Sequence, residues 1–347
     1  MKKGIFIMAA IAAIVCSCEP ENDCLPCQEE KTATLNVSLD FEDGQTKATS
    51  YVTNQTYETA INNVQILVFD SSGALNAYVN AGTKTGSITI NTTAGSKTVW
   101  GVVNGPDLSG ITTLSALQSK AVDLSANSTT TSTGFVMAGS TTCTVSSSTT
   151  ASIQVRRLVA RVALQKVNNS LPASYGAITI NNVTLINVVG NQDLNGSASI
   201  STWYNKMGRE NGGSEPPIID GVNSFASCPT LTFKSVGSSV ANGGSLTPST
   251  PYLFYTYPNS TSTDATGWTS TFTARKTRLV VTATISGTKY YYPIVIDAPT
   301  RNTAYTVELT ITGLGSTDPD KPVVKGSINA SVTVQGWSAG AVYEETI

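Results

Sequence analysis

The chain contains no histidine among its 347 residues, and charged side chains make up only 13% of it. Histidine is the commonest general base and metal ligand in proteins, so its absence argues against hydrolases and metalloenzymes. We therefore predict no catalytic residue, no metal site and no cofactor. The 21 basic residues are outnumbered by 23 acidic ones and are scattered along the chain. Nucleic-acid binding requires a basic patch, so we predict no nucleic-acid partner.

Hydrophobic residues make up 40% of the chain, and Thr, Ser, Asn and Gly fill most of the remainder. β-branched Thr and Val favour sheets over helices, and short apolar runs are separated by Gly, Pro, Asn and Ser clusters in both halves. The pattern predicts an all-β protein with a sandwich in each half, and the length suits two domains. Residues 97–104 are apolar on both faces and predict a central strand. One short helix is predicted over residues 113–120.

The N-terminus has the pattern of an export signal. Lys2 and Lys3 precede an apolar run over residues 5–15, which is too short to span a bilayer but suits a signal peptide. The segment ends in Val15-Cys16-Ser17-Cys18, where small Ser17 precedes Cys18 as in a bacterial lipobox. We predict lipidation at Cys18 in preference to Cys16, because Val15 is bulky for the signal peptidase. A secreted form without lipid is the alternative.

The spacing of the other cysteines does not favour a metal site or a redox site. Cys24 and Cys27 form a C-x-x-C without the second pair, histidine or βαβ context that metal or redox sites need. A local disulfide, or no role, is the expectation. Cys143 and Cys228 are predicted to be unpaired and buried.

The first predicted strand precedes a candidate protease site. Its apolar side chains alternate with polar ones, as in a strand with one buried face. A polar loop with Asp43-Gly44 follows, and such a loop is a good protease target. We predict cleavage between Lys47 and Ala48, which would make this strand removable. Its inward side chains are Ala33, Leu35, Val37, Leu39 and Phe41.

A strand of the same design lies near the C-terminus. Ile328, Ala330, Val332 and Val334 alternate with polar residues, so this strand could fill the slot of the first one. A polymer could then be built by strand donation between copies. We expect this tail to lead outward instead of completing its own domain. Asp318-Pro319-Asp320 is expected to be a turn that releases the tail, in preference to a cation site.

Together these segments resemble the fimbrillins, the type V pilins that form fimbrial shafts in Bacteroidales. The resemblance covers nearly the whole chain, and it depends on the order of the segments more than on any one of them. The segments are the lipobox at Cys18 and residues 46–49, 98–110, 157–162, 253–259, 301–307, 313–322 and 331–337.

The resemblance implies two transthyretin-like β-sandwich domains in tandem, export as an outer-membrane lipoprotein, and surface cleavage by a protease of trypsin-like specificity. The C-terminal segment, with Trp337 included, would then fill the groove of the next subunit in the fimbria. The implied partners are other copies of the chain, accessory fimbrial subunits and the processing protease. The predicted regions are a signal peptide (1–17), a lipidated propeptide with the removable strand (18–47), two sandwiches (48–154 and 155–325) and a donor tail (326–347).

The alternative is a monomeric surface lipoprotein that binds glycan or protein. Trp203, Tyr204, Trp268 and the tyrosines at 290–292 could stack on sugar rings. Aromatic residues in short strands are more often core or cross-strand partners, so the pilin interpretation is preferred.

Overall fold

The structure is a computed structural model. It describes residues 32–41, 54–84, 86–197, 199–207, 229–267, 271–323, 328–337 and 343–346. Among these residues, no helix is both long and apolar enough to cross a membrane.

The first half of the chain forms a sheet in the strand order β3-β2-β5-β7-β8-β1-β4. Two short α-helices and one 3-10 helix (Leu124–Ala126) accompany it: α1 (Thr56–Thr59) and α2 (Leu114–Gln118). The strands are β1 (Thr32–Phe41), β2 (Val64–Phe69), β3 (Leu75–Gly82), β4 (Ile88–Thr93), β5 (Gly95–Val103), β6 (Ala121–Asp123), β7 (Met137–Val145) and β8 (Ser148–Arg157).

This sheet folds into two layers at the junction of β7 and β8. The two strands share only the pairs Met137 with Arg157 and Ala138 with Arg156. Next to this corner a Cβ on Gly139 would lie 2.0 Å from the backbone oxygen of Gln154, so only glycine allows the close approach. The outer strands also meet, because the Asn76 side chain of β3 accepts from the Thr93 amide of β4 at 3.0 Å. The sequence-predicted sandwich is therefore present in this half.

Strands β2 and β5 are covered on both faces. Val64, Ile66 and Val68 face the core between the two layers. Leu67 and Phe69 face a second core that continues into the other half of the molecule. The prediction of a doubly covered strand at residues 97–104 is confirmed by β5, whose Val99 and Trp100 point into different cores.

The second half is also a sandwich. One layer has the order β14-β10-β17-β18, and the other has the order β15-β9-β19-β20-β21 with β16 on β9. A 3-10 helix covers Ala173–Tyr175, and α3 covers Pro229–Thr232. The strands are β9 (Ala160–Asn169), β10 (Ile178–Ile186), β11 (Val188–Val189), β12 (Asn191–Asp193), β13 (Trp203–Tyr204), β14 (Phe233–Val240), β15 (Ser245–Leu246), β16 (Tyr252–Thr256), β17 (Thr277–Ile285), β18 (Thr288–Ile296), β19 (Thr303–Ile311), β20 (Ile328–Gly336) and β21 (Tyr343–Thr346).

The expected all-β class is confirmed. The transition between the halves lies at Leu158 and Val159, where β8 ends and β9 begins. The finer transthyretin-like designation stays a prediction.

The position of the tail differs from the expectation. β20 pairs antiparallel with β19 of the same chain, in a continuous register from Thr303 with Gly336 to Ile311 with Ile328. The expectation that the tail leads outward from its own domain is therefore wrong for this form of the molecule. An exposed β19 edge would leave a row of unpaired amide and carbonyl groups, and β20 satisfies them.

Candidate assembly groove and C-terminal strand

The inward face of β1 is part of the core of the first sandwich. Leu35 and Val37 are fully buried, Ala33 is 5% exposed and Leu39 is 7% exposed. Phe41, at the end of the strand, is half-buried and packs against the same core. The period-2 pattern of the sequence therefore predicted the buried face of this strand correctly.

β1 is an internal strand of its layer. It pairs in parallel with β8, with Val37 opposite Ala151, and antiparallel with β4, with Val37 opposite Ile88. Both neighbours contribute apolar side chains to the same core, among them Ile90 and Ile153. Removal of β1 would leave a slot with an unpaired backbone edge on each side and an apolar floor. Such a slot suits the addition of a strand.

The floor of this slot has a specific seat for Leu39. A Cβ on Gly101 of β5 would lie 2.8 Å from Cδ2 of Leu39, which is too close for two carbon atoms. The side chains of Val155 and Ile153 border the same space. Glycine at position 101 therefore leaves room for a branched apolar side chain from β1.

The outward face of β1 makes polar contacts at the surface. The Thr89 hydroxyl donates to Asn36 Oδ1 at 2.9 Å, and the Ser152 hydroxyl donates to Asp40 Oδ2 at 2.6 Å. Both contacts are exposed, so we expect each to contribute little to stability.

The predicted donor residues lie on one face of β20. Val332 is 6% exposed, and Ile328, Ala330 and Val334 are half-buried against the second core. Asn329 and Ser331 on the other face are exposed. The predicted alternation is present, although in this form the inward face covers the chain's own core. Trp337, directly after the strand, is fully buried.

The segment that leads to the tail is fixed by buried charges. Asp320 Oδ2 pairs with Arg275 Nη1 at 2.6 Å, and Asp320 Oδ1 pairs with Arg278 Nη1 at 2.9 Å. Burial raises the pKa of the Asp320 carboxyl, and the two guanidinium groups oppose that shift. The predicted turn at this site is thus an anchoring point, because both carboxylate oxygens of Asp320 contact arginines.

A buried polar cluster joins the segment after β1 to the second half. Glu58 of α1 pairs with Arg161 at 3.0 Å and accepts from the Tyr255 hydroxyl at 2.6 Å. Arg157 Nε donates to the Glu58 carbonyl at 2.8 Å. Burial and the neighbouring carboxylate raise the pKa of Tyr255 well above its ordinary value, so the phenol keeps its proton and donates. Sequence reasoning missed Glu58; two arginines within the apolar run 157–162 were the available signal.

Several predicted sites lie outside the described residues. These are the lipidation site Cys18, the cleavage residues Lys47 and Ala48, and the cysteines 24, 27 and 228. Cys143 is unpaired as expected, but it is half-buried and not fully buried as expected. It lies on β7, where alternate side chains face solvent.

The aromatic residues considered for glycan stacking are used in packing where the structure describes them. Tyr292 is fully buried, and Tyr204 is 8% exposed with its hydroxyl donating to Asp123. Trp203 packs on Phe272 with ring centroids 5.5 Å apart. A cleft of about 430 Å³ lies beside Asp123, the partner of Tyr204. Its lining side chains are mostly small and polar, Asn63 among them, and none of them is aromatic.

Comparisons with known proteins agree with the architecture. Residues 33–196 match the family model described as major fimbrial subunit protein (FimA). No curated protein matches the chain in sequence.

Solved structures share the fold over most of the chain. A candidate cell adhesion protein from Bacteroides eggerthii is 22% identical with a TM-score of 0.62, covering 90% of this chain and 98% of that one. A fimbrilin (FimA) from Porphyromonas gingivalis is 12% identical with a TM-score of 0.59, covering 89% and 98%. The tip fimbrial protein Mfa3 from Porphyromonas gingivalis, with a C-terminal truncation, is 14% identical with a TM-score of 0.50, covering 88% and 100%.

The fold, together with the family match over residues 33–196, makes this chain similar to fimbrial subunits. The matched residues are just under half of the chain and resemble the major fimbrial subunit protein, and the fold of the chain is similar to that of the fimbrilin FimA. The resemblance inferred from the sequence is therefore confirmed.

Proposed function

We propose that this protein is a shaft subunit of a cell-surface fimbria that polymerises by strand donation. It is exported as a lipoprotein anchored to the outer membrane through Cys18, and a protease cuts it between Lys47 and Ala48. The cut frees β1, and the C-terminal strand of another copy takes its place. Accessory fimbrial subunits are the further partners. The internal position of β1 is the observation that carries this proposal.

The energetics favour replacement of β1 over an empty groove. Leu35, Val37 and Leu39 are buried, and each stabilises the fold by about 1.5–3 kcal/mol. Their sum is about 5–9 kcal/mol, an upper value because unfolded chains are partly compact. Whole domains are stable by only about 5–15 kcal/mol. A subunit that has lost β1 therefore gains much of its stability from a new strand.

The uncleaved form is protected from premature assembly. With β1 in place, neither β4 nor β8 offers its β1-facing edge to another chain. β20 is also occupied, because it pairs with β19 of its own chain. Donation therefore requires two events, which are removal of β1 and release of β20.

Limited proteolysis tests the processing step. Trypsin should cut the folded chain after Lys47 and leave the rest resistant, and Lys47→Ala should abolish this cut. Lys84→Ala is the matched control, because Lys84 is exposed in the turn between β3 and β4. Early cuts inside either sandwich, with Lys47 intact, would contradict the proposal.

Peptide competition tests the groove. A peptide of residues 31–43 should bind the cleaved subunit and block polymer growth, because it carries the inward side chains of β1. A peptide of the same composition with the alternation shifted by one residue should do neither, since every apolar side chain would face the wrong way. Equal inhibition by both peptides would refute strand exchange at this site.

A further inference from the structure

The indole of Trp337 lies in a box at the junction of the two halves. Its backbone amide donates to the Asn302 carbonyl at 2.8 Å, and its Nε1 donates to Asn54 Oδ1 at 2.8 Å. The side chain is fully buried. Both N–H donors of this residue are thus satisfied by partners that are distant in sequence.

The walls of the box are aromatic and cationic. Tyr255 stacks on the indole at 6.1 Å with an interplanar angle of 15°, and Phe135 meets it edge-on at 6.5 Å. The guanidinium carbons of Arg157 and Arg161 lie 4.7 Å and 5.0 Å from the ring centroid. Stacking and cation–π contacts of this kind favour tryptophan over smaller residues.

One side of the box comes from the segment that follows the predicted processing site. Asn54 lies six positions after Ala48, and α1 starts two residues after Asn54. Glu58 holds this segment in place, because its carboxylate accepts from the Gln55 amide at 2.6 Å and pairs with Arg161. The residue that follows β20 and a residue close to the predicted processing site therefore meet in one site.

The rest of β20 is held less firmly. Of its four inward apolar side chains, Val332 is buried at 6% exposure, whereas Ile328, Ala330 and Val334 are half-buried. Trp337 is the largest fully buried side chain of the described residues. Among the described residues of the tail, it thus provides the largest buried apolar side chain.

We propose that Trp337 in this box is a latch that holds the C-terminal strand on its own sheet, and that Asn54 couples the strength of the latch to the segment created by processing. Release of the strand is an opening of the latch, in which the indole leaves the box and β20 separates from β19. The role of this release in polymer growth rests on the proposed function; the latch itself does not.

Hydrogen exchange on the full, uncleaved chain tests the latch. Amides of β20 should exchange about 10²-fold faster in Trp337→Ala, because a large buried side chain is lost. In Asn54→Ala they should exchange about two- to tenfold faster, since the hydrogen bond from the indole and a longer one from Arg161 Nη1 at 3.4 Å are lost. Amides of β1 and β8 should be unchanged in both variants. Trp203→Ala is the matched control, because this half-buried tryptophan packs on Phe272 away from the box.

Two results would overturn the latch. One is wild-type exchange of β20 in Asn54→Ala and Trp337→Ala. The other is a uniform rise across β9, β19 and β20 in the conservative Asn54→Ala variant, which would indicate general destabilisation instead of tail release.

A second measurement separates the latch from the proposed function. After trypsin treatment, both box variants should polymerise with a shorter lag than the wild type. If β20 is released in the exchange experiment but the cleaved variants form no polymer, the latch stands and strand donation fails. If polymer forms with the wild-type lag while β20 exchange is faster, Trp337 does not control assembly and the latch has no regulatory role.

Discussion

Strands β1 and β20 have the same alternating sequence but are held in different ways. β1 lies between β8 and β4, and four of its inward side chains are at most 7% exposed. β20 lies between β19 and the short strand β21, and three of its four inward apolar residues are half-buried. β1 is thus fixed along its length, whereas β20 is fixed most firmly at Trp337.

The proposed function requires one strand that is cut away and one strand that is released, and this difference suits β1 to the first role and β20 to the second. A strand buried along its length does not leave without breaking a covalent bond or unfolding its domain. A strand whose largest buried side chain lies at one end separates more readily when that side chain moves. The same alternating pattern therefore suits both roles, and the surroundings decide which role each strand takes.

The largest expected effect comes from a charge in the middle of β1. Val37→Asp places an unpaired carboxylate in a fully buried apolar site, at a cost of about 5 kcal/mol or more. This is comparable with the stability of a domain, so the uncleaved chain should fail to fold or unfold in very little urea. Asn36→Asp is the control, because that side chain faces outward and keeps its acceptor for Thr89. A folded Val37→Asp variant with a normal urea midpoint would mean that β1 is not held by its inner face.

The sequence was informative where side chains alternate or where apolar runs are long. It predicted the inward face of β1, the double coverage of β5 and the short helix α2. It missed β3, and it missed most of β7 and β14, whose residues Gly139–Thr144 and Gly237–Ser239 are small and polar. Such strands are defined by the neighbours with which they pair, and this information is not local in sequence.

The tail and the junction show a different limit of sequence reasoning. The alternation in 328–334 identifies a strand with one apolar face, but it does not say whose core that face covers. Glu58 and Asn54 had no local signal, because their partners Arg161, Tyr255 and Trp337 lie more than a hundred residues away along the chain. Long-range polar pairs of this kind depend on the tertiary fold.

The second largest loss of stability is expected at the junction that borders the box of Trp337. Glu58→Gln keeps the side-chain shape but leaves the buried Arg161 without its counter-charge, at a cost of about 3–5 kcal/mol. Urea unfolding of the whole chain measures this loss, and β20 amides should exchange faster because Arg161 borders the indole. Glu308→Gln on an exposed position of β19 is the control. If both variants lost the same small amount, the junction would be no stronger than a surface contact.

A smaller effect is expected from filling the Leu39 seat. Gly101→Ala introduces a Cβ 2.8 Å from Leu39 Cδ2, and overpacking of this kind costs about 1–3 kcal/mol. In a Leu39→Ala background the clash is absent, so the effect of Gly101→Ala should shrink and the double-mutant cycle should be non-additive. Gly86→Ala is the control, because a Cβ there meets no atom within 4 Å. If the stability losses of Leu39→Ala and Gly101→Ala were strictly additive, the space beside Gly101 would not be specific for the Leu39 side chain of β1.

The smallest loss of stability is expected on the outward face of β1. This loss tests most directly whether β20 can replace β1. Ser152→Ala removes the donor to Asp40, and Asn36→Ala removes the acceptor for Thr89. Both contacts are exposed, so each loss should be about 0.5–1 kcal/mol, and urea midpoints should shift slightly. β20 carries Asn329, Ser331 and Thr333 on its outward face, and none of these is a carboxylate like Asp40. If the outward contacts contribute this little to stability, a donor strand needs to match only the inward apolar side chains of β1. The inward side chains of β20 meet that requirement. If Ser152→Ala instead lowered the free energy of unfolding by several kcal/mol, the groove would depend on contacts with both faces of the bound strand. β20 would then be a poor substitute for β1.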